Sequence, residues 1–518
     1  MGRVRSNIMT SDVNINTTGQ NPVFGSAVRA MTWSTLSTVA TTLIGLAGFF
    51  VLVRLLGPTN YGLVAMAMVA LAIPTALSSD SLSQSLIQQD KLDKSAQTST
   101  FLLELTIAGV LCLILLATSG LIAQAFGQPI VETLIAVLCP ILLLQAAASV
   151  PSAQLRRNLQ FKAIAVIAAG STLCSVILGV TLAVLDYGYW ALVAMQISQP
   201  GLRVVGVFVA SRWLPSAAPR WSSLRPLLHF NVHTLVMRLV RALTANLPRA
   251  LIGAFLGAAA LGVFDVSRRL FKRISSILMQ PLTSVTLPVA SKLQNDAPAL
   301  RQWHRLSTVA ITAIAYPLYI GIAAVLPAAA PLLFGDQWLD AILPMQLMML
   351  VGVRNATAIF NGGILRGRGK PELATRIAVT TLAVSCLLHP PAVAWGVSAV
   401  VGAMLLGSIA SWLVGTYYVD QELETGVATQ VVIGWESLFS AAIMFIVITA
   451  THHMLPPTVS AGLALPLLVL LGAITHFVVL WVLQRDMARL LVALIRAVLT
   501  RDSAAIKKLL RSGLSSMS

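Results

Sequence analysis

Fourteen apolar runs alternate with short polar segments along the chain, and each run is long enough, or nearly so, to cross a bilayer. They are Thr32–Val53, Gly62–Ile87, Phe101–Ala125, Ile130–Val150, Ala163–Leu185, Trp190–Ala210, Val232–Leu256, Leu261–Val289, Leu306–Leu333, Leu339–Leu365, Leu373–Leu388, Ala394–Val419, Ile433–Ala450 and Ala461–Leu483. A helix needs ~20 apolar residues to span a hydrocarbon core of ~30 Å. Strands of a membrane barrel would instead show segments of about ten alternating residues. That alternation is absent. The pattern predicts an all-α, polytopic membrane protein with about 14 transmembrane helices.

Composition agrees with the pattern. Hydrophobic residues make up 57% of the 518, charged residues 10%, and mean hydropathy is +0.83. A soluble domain carries roughly 25% charged residues, so an ordinary soluble globule is excluded. The net charge of +17 would suggest nucleic acid for a soluble protein, but the positive residues here lie between apolar runs. The membrane reading takes precedence, with the lipid bilayer and not nucleic acid as surroundings. Of the 35 Lys and Arg, nine lie deep in the runs, 25 fall on the side of the N-terminus, and Arg54 alone falls on the other. The positive-inside rule then places both termini in the cytoplasm.

The flanks follow from the same reading. Residues 1–30 predict a disordered cytoplasmic tail ahead of an uncleaved signal anchor, and Met1-Gly2…Ser6 fits the short myristoylation pattern. Residues 485–518 interleave Arg485, Arg489, Arg496 and Arg501 with leucines, as in a basic amphipathic helix on the inner leaflet. Cys112, Cys139, Cys174 and Cys386 lie inside apolar runs without metal or redox spacing, and read as small buried hydrophobes rather than disulfides. Outer loops are too short for a catalytic domain, which argues against an enzyme. No cofactor or metal is expected.

Three landmarks occur twice. Leu56-Gly57 with Tyr61-Gly62-Leu63 is echoed by Leu256-Gly257 with Leu261-Gly262-Val263, a shift of 200 residues. Phe126-Gly127 with Glu132 is echoed by Phe334-Gly335 with Asp340, a shift of 208. Trp190-Ala191-Leu192-Val193 is echoed more loosely by Trp395-Gly396-Val397, a shift of 205. Six spans separate the copies, so both halves face the same way, related by an axis along the membrane normal. The predicted organisation is an N-terminal six-helix lobe over 31–229, a parallel C-terminal six-helix lobe over 230–420, and two trailing helices over 421–484.

Nine cations lie more than one turn inside the spans: Arg203, Arg238, Arg241, Arg249, Arg268, Arg269, Lys272, Arg273 and Arg354. At mid-bilayer each costs roughly 2.5–3.5 kcal/mol unless it meets water or a partner. Arg238, Arg241 and Arg249 fall within ~80° of one another on a helix, and the Arg268–Arg273 set covers ~140° with Asp265 inside it. The available acids, Asp80, Glu104 and Asp265, are too few to neutralise them and are themselves candidate coupling or gating groups. The alternative is that these acids and arginines merely lock helix packing. The cationic excess points to a hydrated, anion-binding cavity built largely by the C-terminal lobe, suited to phosphate oxygens.

The run Leu52-Val53-Arg54-Leu55-Leu56-Gly57-Pro58-Thr59-Asn60-Tyr61-Gly62-Leu63, with Gln154–Lys162, Asn246–Gly253 and Leu287-Pro288, resembles a known family. It is that of the oligosaccharide flippases in the multidrug/oligosaccharidyl-lipid/polysaccharide exporter superfamily, especially its lipopolysaccharide and exopolysaccharide translocases. The resemblance implies the two-lobed fold of that superfamily. It also implies flipping of polyprenyl-diphosphate-linked oligosaccharide, by a monomeric transporter that works beside a polysaccharide polymerase and chain-length or export machinery. Two departures are Pro248, where relatives carry Asp, and Ser79-Asp80-Ser81-Leu82, where they carry Asp-x-Gly-Leu. A drug exporter of the same superfamily would need acidic cavity walls, and a glycosyltransferase, polymerase or ligase would need a large polar loop. Gly367-Arg368-Gly369-Lys370-Pro371 lacks the spacing of a P-loop and reads as a basic inner turn.

Overall fold

The computed structural model describes residues 22–78, 94–216, 218–220, 232–456, 460–483 and 485. Asp80 and the C-terminal basic segment after Arg485 lie outside them. The first half comprises α1 (Pro22–Leu55), α2 (Pro58–Ser78), α3 (Lys94–Ala125), α4 (Ile130–Leu138), α5 (Pro140–Arg157), α6 (Phe161–Val184) and α7 (Tyr189–Ser211). A composite helix, α8 (Val232–Lys292), opens the second half. It continues through α9 (Ala297–Phe334), α10 (Ile342–Ala358), α11 (Asn361–Gly367), α12 (Pro371–Val393) and α13 (Val397–Leu423). The short α14 (Val427–Val432) leads to a final pair, α15 (Trp435–Met454) and α16 (Ala461–Leu483). Because α1 starts at Pro22, the last residues of the predicted disordered tail are helical.

Among the described residues, 13 helical segments are long and apolar enough to span a membrane, and one of them, Val236–Met279, has 44 residues. That segment folds back on itself. Gly257 sits at φ 84°, ψ −175°, a conformation open to glycine because it lacks a Cβ. Arg249 and Asp265 would lie ~24 Å apart on a straight helix. Instead, Arg249 Nη2 meets Asp265 Oδ1 at 2.8 Å. The two arms of α8 therefore form an antiparallel hairpin, which supplies the seventh and eighth of fourteen crossings.

The hairpin packs on α2, and the repeated landmarks meet there. A Cβ at Gly62 would run into the carbonyl of Ala258, and one at Gly262 would run into the carbonyl of Pro58. Position 62 faces 258 while 58 faces 262, the reciprocal pattern that a two-fold axis imposes. The third landmark is re-registered by the structure. Gly188 (φ 56°) caps α7 and Gly396 (φ 88°) caps α13. Their spacing equals that of Gly127 and Gly335, so the glycines are the equivalent positions and the tryptophans are not.

At the Gly57 end the halves are sealed. A 3₁₀ turn, Asp336–Ala341, folds inward instead of forming a plain loop. It buries Trp338, whose Nε1 donates to the Val53 carbonyl at 2.8 Å. Tyr61 packs edge-on against Trp338 with ring centroids 5.7 Å apart, and Phe50 stacks on Phe334 at 5.6 Å. At the opposite end, the basic turn that carries Lys370 pairs with Glu422 at 2.5 Å. The trailing α15 and α16 pack on α9.

Two features inside the first half were not anticipated. Cys112 and Cys139, read above as isolated hydrophobes, are joined as a disulfide with Cα atoms 5.7 Å apart. Their pairing reflects the packing of α3 against the break between α4 and α5. Buried Gln97 accepts hydrogen bonds from Gln154 Nε2 at 2.7 Å and Trp213 Nε1 at 2.8 Å. Gln97→Met strands both donors, so a stability loss of about 1–3 kcal/mol per donor is expected in thermal melts.

Candidate functional site

The second arm of α8 carries Asp265, Arg268, Arg269, Lys272 and Arg273 within two turns and a half. Asp265 is 1% exposed and each of its oxygens takes one arginine. Arg249 crosses from the first arm to Oδ1 at 2.8 Å, and Arg269 Nε reaches Oδ2 at 2.6 Å. Arg268 Nη1 donates to the Ala245 carbonyl at 3.1 Å, and the Arg269 guanidinium lies 5.9 Å from the centre of the Tyr61 ring. Arg249 is buried inside the hairpin, pairs with Asp265 and lines none of the cavities described below. Asp265 is likewise committed to these two partners. Among the described residues, Arg241, Arg268, Lys272, Arg273 and Arg354 form no ion pair.

Two cavities with shared walls adjoin this cluster. One, of about 240 Å³, is lined by Arg269 and Arg273 with Thr41, Tyr61, Thr172 and Gln199. The Arg273 guanidinium lies against the backbone of Gly45. The other, of about 880 Å³, is lined by Arg203, Arg238 and Arg241 with Gln145, Gln196 and Gln199. Thr41, Thr172 and Gln199 belong to both. Both cavities, together the junction chamber, lie between α1, α2, α5, α6, α7 and α8 and have arginines in their lining.

The chamber corrects the expected placement. Its walls are helices of the first half, and only its cations on α8 come from the second. The reason is the hairpin, which stands at the junction and turns these basic faces toward α1 and α2. Arg354 stands apart, in a separate cavity of about 320 Å³ within the second half. Arg268 and the exposed Lys272 lie beside the chamber without lining it. Glu104 is buried in α3 and accepts a hydrogen bond from Ser149 of α5.

Sequence reasoning centred on charge passed over the amides. Gln145, Gln196 and Gln199 are polar side chains in apolar runs, and Gln196 and Gln199 sit three residues apart on one helix face. An uncharged polar residue in a span is itself a signal of a wet surface, since lipid gives it no partner.

The family described as polysaccharide biosynthesis protein matches residues 51–343, more than half of the chain. The chain belongs to this family. One relative is the succinoglycan biosynthesis transport protein ExoT of Rhizobium meliloti, 24% identical over 64% of this chain and 65% of its own length. Another is the lipopolysaccharide biosynthesis protein WzxC of Escherichia coli, 24% identical over 73% of this family member and 75% of itself. Among solved structures, the lipid II flippase MurJ in its inward closed conformation superposes with a TM-score of 0.69. It covers 88% of this chain and 99% of its own at 13% identity. An inward-facing MATE transporter of the MOP superfamily gives 0.57 over 74% and 94% of the two chains at 15% identity. The fold is therefore that of the MOP transporters, as the resemblance implied.

Proposed function

We propose that this polysaccharide biosynthesis protein flips a polyprenyl-diphosphate-linked oligosaccharide from the cytoplasmic to the periplasmic leaflet of the bacterial inner membrane. The observation that carries the reading is the guanidinium excess of Arg241 and Arg273 on a polar chamber between the halves. An arginine without a carboxylate on a cavity wall inside a membrane favours an anion, and its fork matches phosphate oxygens. The names of its relatives, transport and biosynthesis proteins for succinoglycan and lipopolysaccharide, favour a glycolipid over a drug.

With both termini cytoplasmic, the Gly57 and Gly257 turns lie on the periplasmic side, where the halves are sealed. The chamber then receives the head group from the cytoplasm while the lipid tail stays in the bilayer. Separation of Gly62 from Ala258 and of Gly262 from Pro58 opens the opposite exit, completing alternating access. A head group of charge −2 moving outward down an inside-negative potential gains roughly 4–5 kcal/mol per 100 mV. If the protein returns empty without moving charge, the potential alone can drive export, and a charge-neutral exchange with protons or sodium removes that advantage.

Arg241→Gln with Arg273→Gln is expected to lower flipping in proteoliposomes at least ~10-fold per residue, the worth of one charge-assisted contact. Neither residue pairs with a carboxylate, so membrane levels and melting should stay near wild type. Unchanged flipping would sink the diphosphate reading. Clamping the potential separately tests whether transport is electrogenic.

A further inference from the structure

The cavity around Arg354 has its own chemistry, distinct from the junction chamber. Three of its lining side chains each leave one buried atom without a partner: Arg354 Nε, Asn361 Oδ1 and His389 Nε2. Asn361 is 4% exposed and His389 is 2% exposed, so the lack of partners is not relieved by open solvent. His389 Nδ1 lies 2.7 Å from the Ser385 carbonyl. A carbonyl only accepts, so Nδ1 carries the hydrogen and the neutral ring presents Nε2 as an acceptor.

The surrounding hydroxyls are oriented the same way. Ser385 Oγ donates to the Thr381 carbonyl at 2.7 Å and Ser411 Oγ donates to the Gly407 carbonyl at 2.8 Å. Both hydroxyls therefore turn lone pairs to the cavity. Thr244, Thr381 and Ser408 hydroxyls in the lining donate to their own helices in the same way, so one fixed cation is set among several acceptors, with Trp412 as an apolar wall. A bare anion would satisfy Arg354 and meet lone pairs elsewhere. A neutral sugar would serve the acceptors and leave the guanidinium unneutralised. A ligand with one negative charge and several hydroxyl donors satisfies every group. The volume of about 320 Å³ is at the small end for ligand sites, of a size for one ring and not an oligosaccharide.

We propose that this second-half cavity is a separate binding site for a single carboxylated sugar, a hexuronate or a residue of the same chemistry. Arg354 takes the carboxylate, while Asn361 Oδ1 and His389 Nε2 accept from ring hydroxyls. The site rests on the glycolipid reading only for its source: the carboxylated sugar belongs either to the transported head group or to solution.

The test uses the full chain in nanodiscs with D-glucuronate, D-glucose and inorganic phosphate as probes. Glucuronate binds, and Arg354→Gln and Asn361→Leu each weaken it at least ~10-fold, one charge-assisted or buried hydrogen bond. Glucose and phosphate bind at least ~10-fold more weakly than glucuronate. Arg354→Lys recovers part of the affinity. A purely structural arginine would lower the melting midpoint on removal, whereas Arg354→Gln should leave it unchanged or raise it. If Arg354→Gln fails to fold, Asn361→Leu reads the same loss. No glucuronate binding at millimolar concentration, equal binding by phosphate, or wild-type binding in both variants overturns the proposal. Displacement of glucuronate by a uronate-bearing carrier lipid, but not by a neutral one, assigns the source to the head group. Displacement by neither assigns it to solution. Arg241→Gln with Arg273→Gln keeps glucuronate binding whatever it does to flipping, so the two readings fail separately.

Discussion

Gly62→Ala and Gly262→Ala are each expected to abolish export. In both, the new methyl group meets a backbone carbonyl, that of Ala258 or of Pro58, far inside van der Waals contact. No side-chain rotation relieves it, so the two halves must separate at this end. Overpacking costs about 1–3 kcal/mol even where side chains can shift. If ~3 kcal/mol falls on the state closed at this end and none on the state open there, their ratio changes more than ~100-fold. Gln337 lies on the seal, where its Nε2 donates to the Arg54 carbonyl at 3.1 Å. A cysteine at position 337, with Cys174 and Cys386 replaced by serine, should react faster with an impermeant maleimide in either alanine variant. Gly170→Ala, where nothing lies within 4 Å of the new Cβ, is the control. Wild-type labelling and export in Gly62→Ala would refute the role assigned to this contact.

Asp265→Asn should be the most destabilising single change in the cationic cluster. It removes the counter-charge of both Arg249 and Arg269, and side-chain exposure is 7% for Arg249 against 28% for Arg269. Stranding one partner of a buried pair costs about 3–5 kcal/mol. A lower melting midpoint and reduced membrane level are expected, in contrast to Arg273→Gln. Adding Arg249→Met should restore most of the loss, because Arg269 reaches the chamber and Arg249 does not. Failure of the double variant to recover would show that the hairpin depends on something other than this pair.

Much was legible in the chain as written. Lipid demands that each crossing be a run of ~20 apolar residues with its backbone bonds satisfied internally, which makes spans readable locally. The fourteen crossings and the repeat of Gly57-to-Gly62 at Gly257-to-Gly262 follow from that local constraint. The Trp190 and Trp395 match misled by three positions because the structural demand at those turns falls on Gly188 and Gly396, whose backbone conformation excludes most other residues.

The fates of the cations were not legible. Asp265 selects Arg269 one helical turn away and Arg249 across the hairpin, leaving Arg268, Lys272 and Arg273 without a carboxylate. That choice depends on the bend at Gly257, which no hydropathy profile reports. The same holds for Trp338, whose partner is the Val53 carbonyl, and for the Cys112–Cys139 bond between separate helices. The sequence by itself determined how often the chain crosses the membrane and that it carries more positive charge within the spans than its acids can neutralise. Only the tertiary structure decided which arginines are neutralised and which line a cavity, because that is settled by groups brought together across helices.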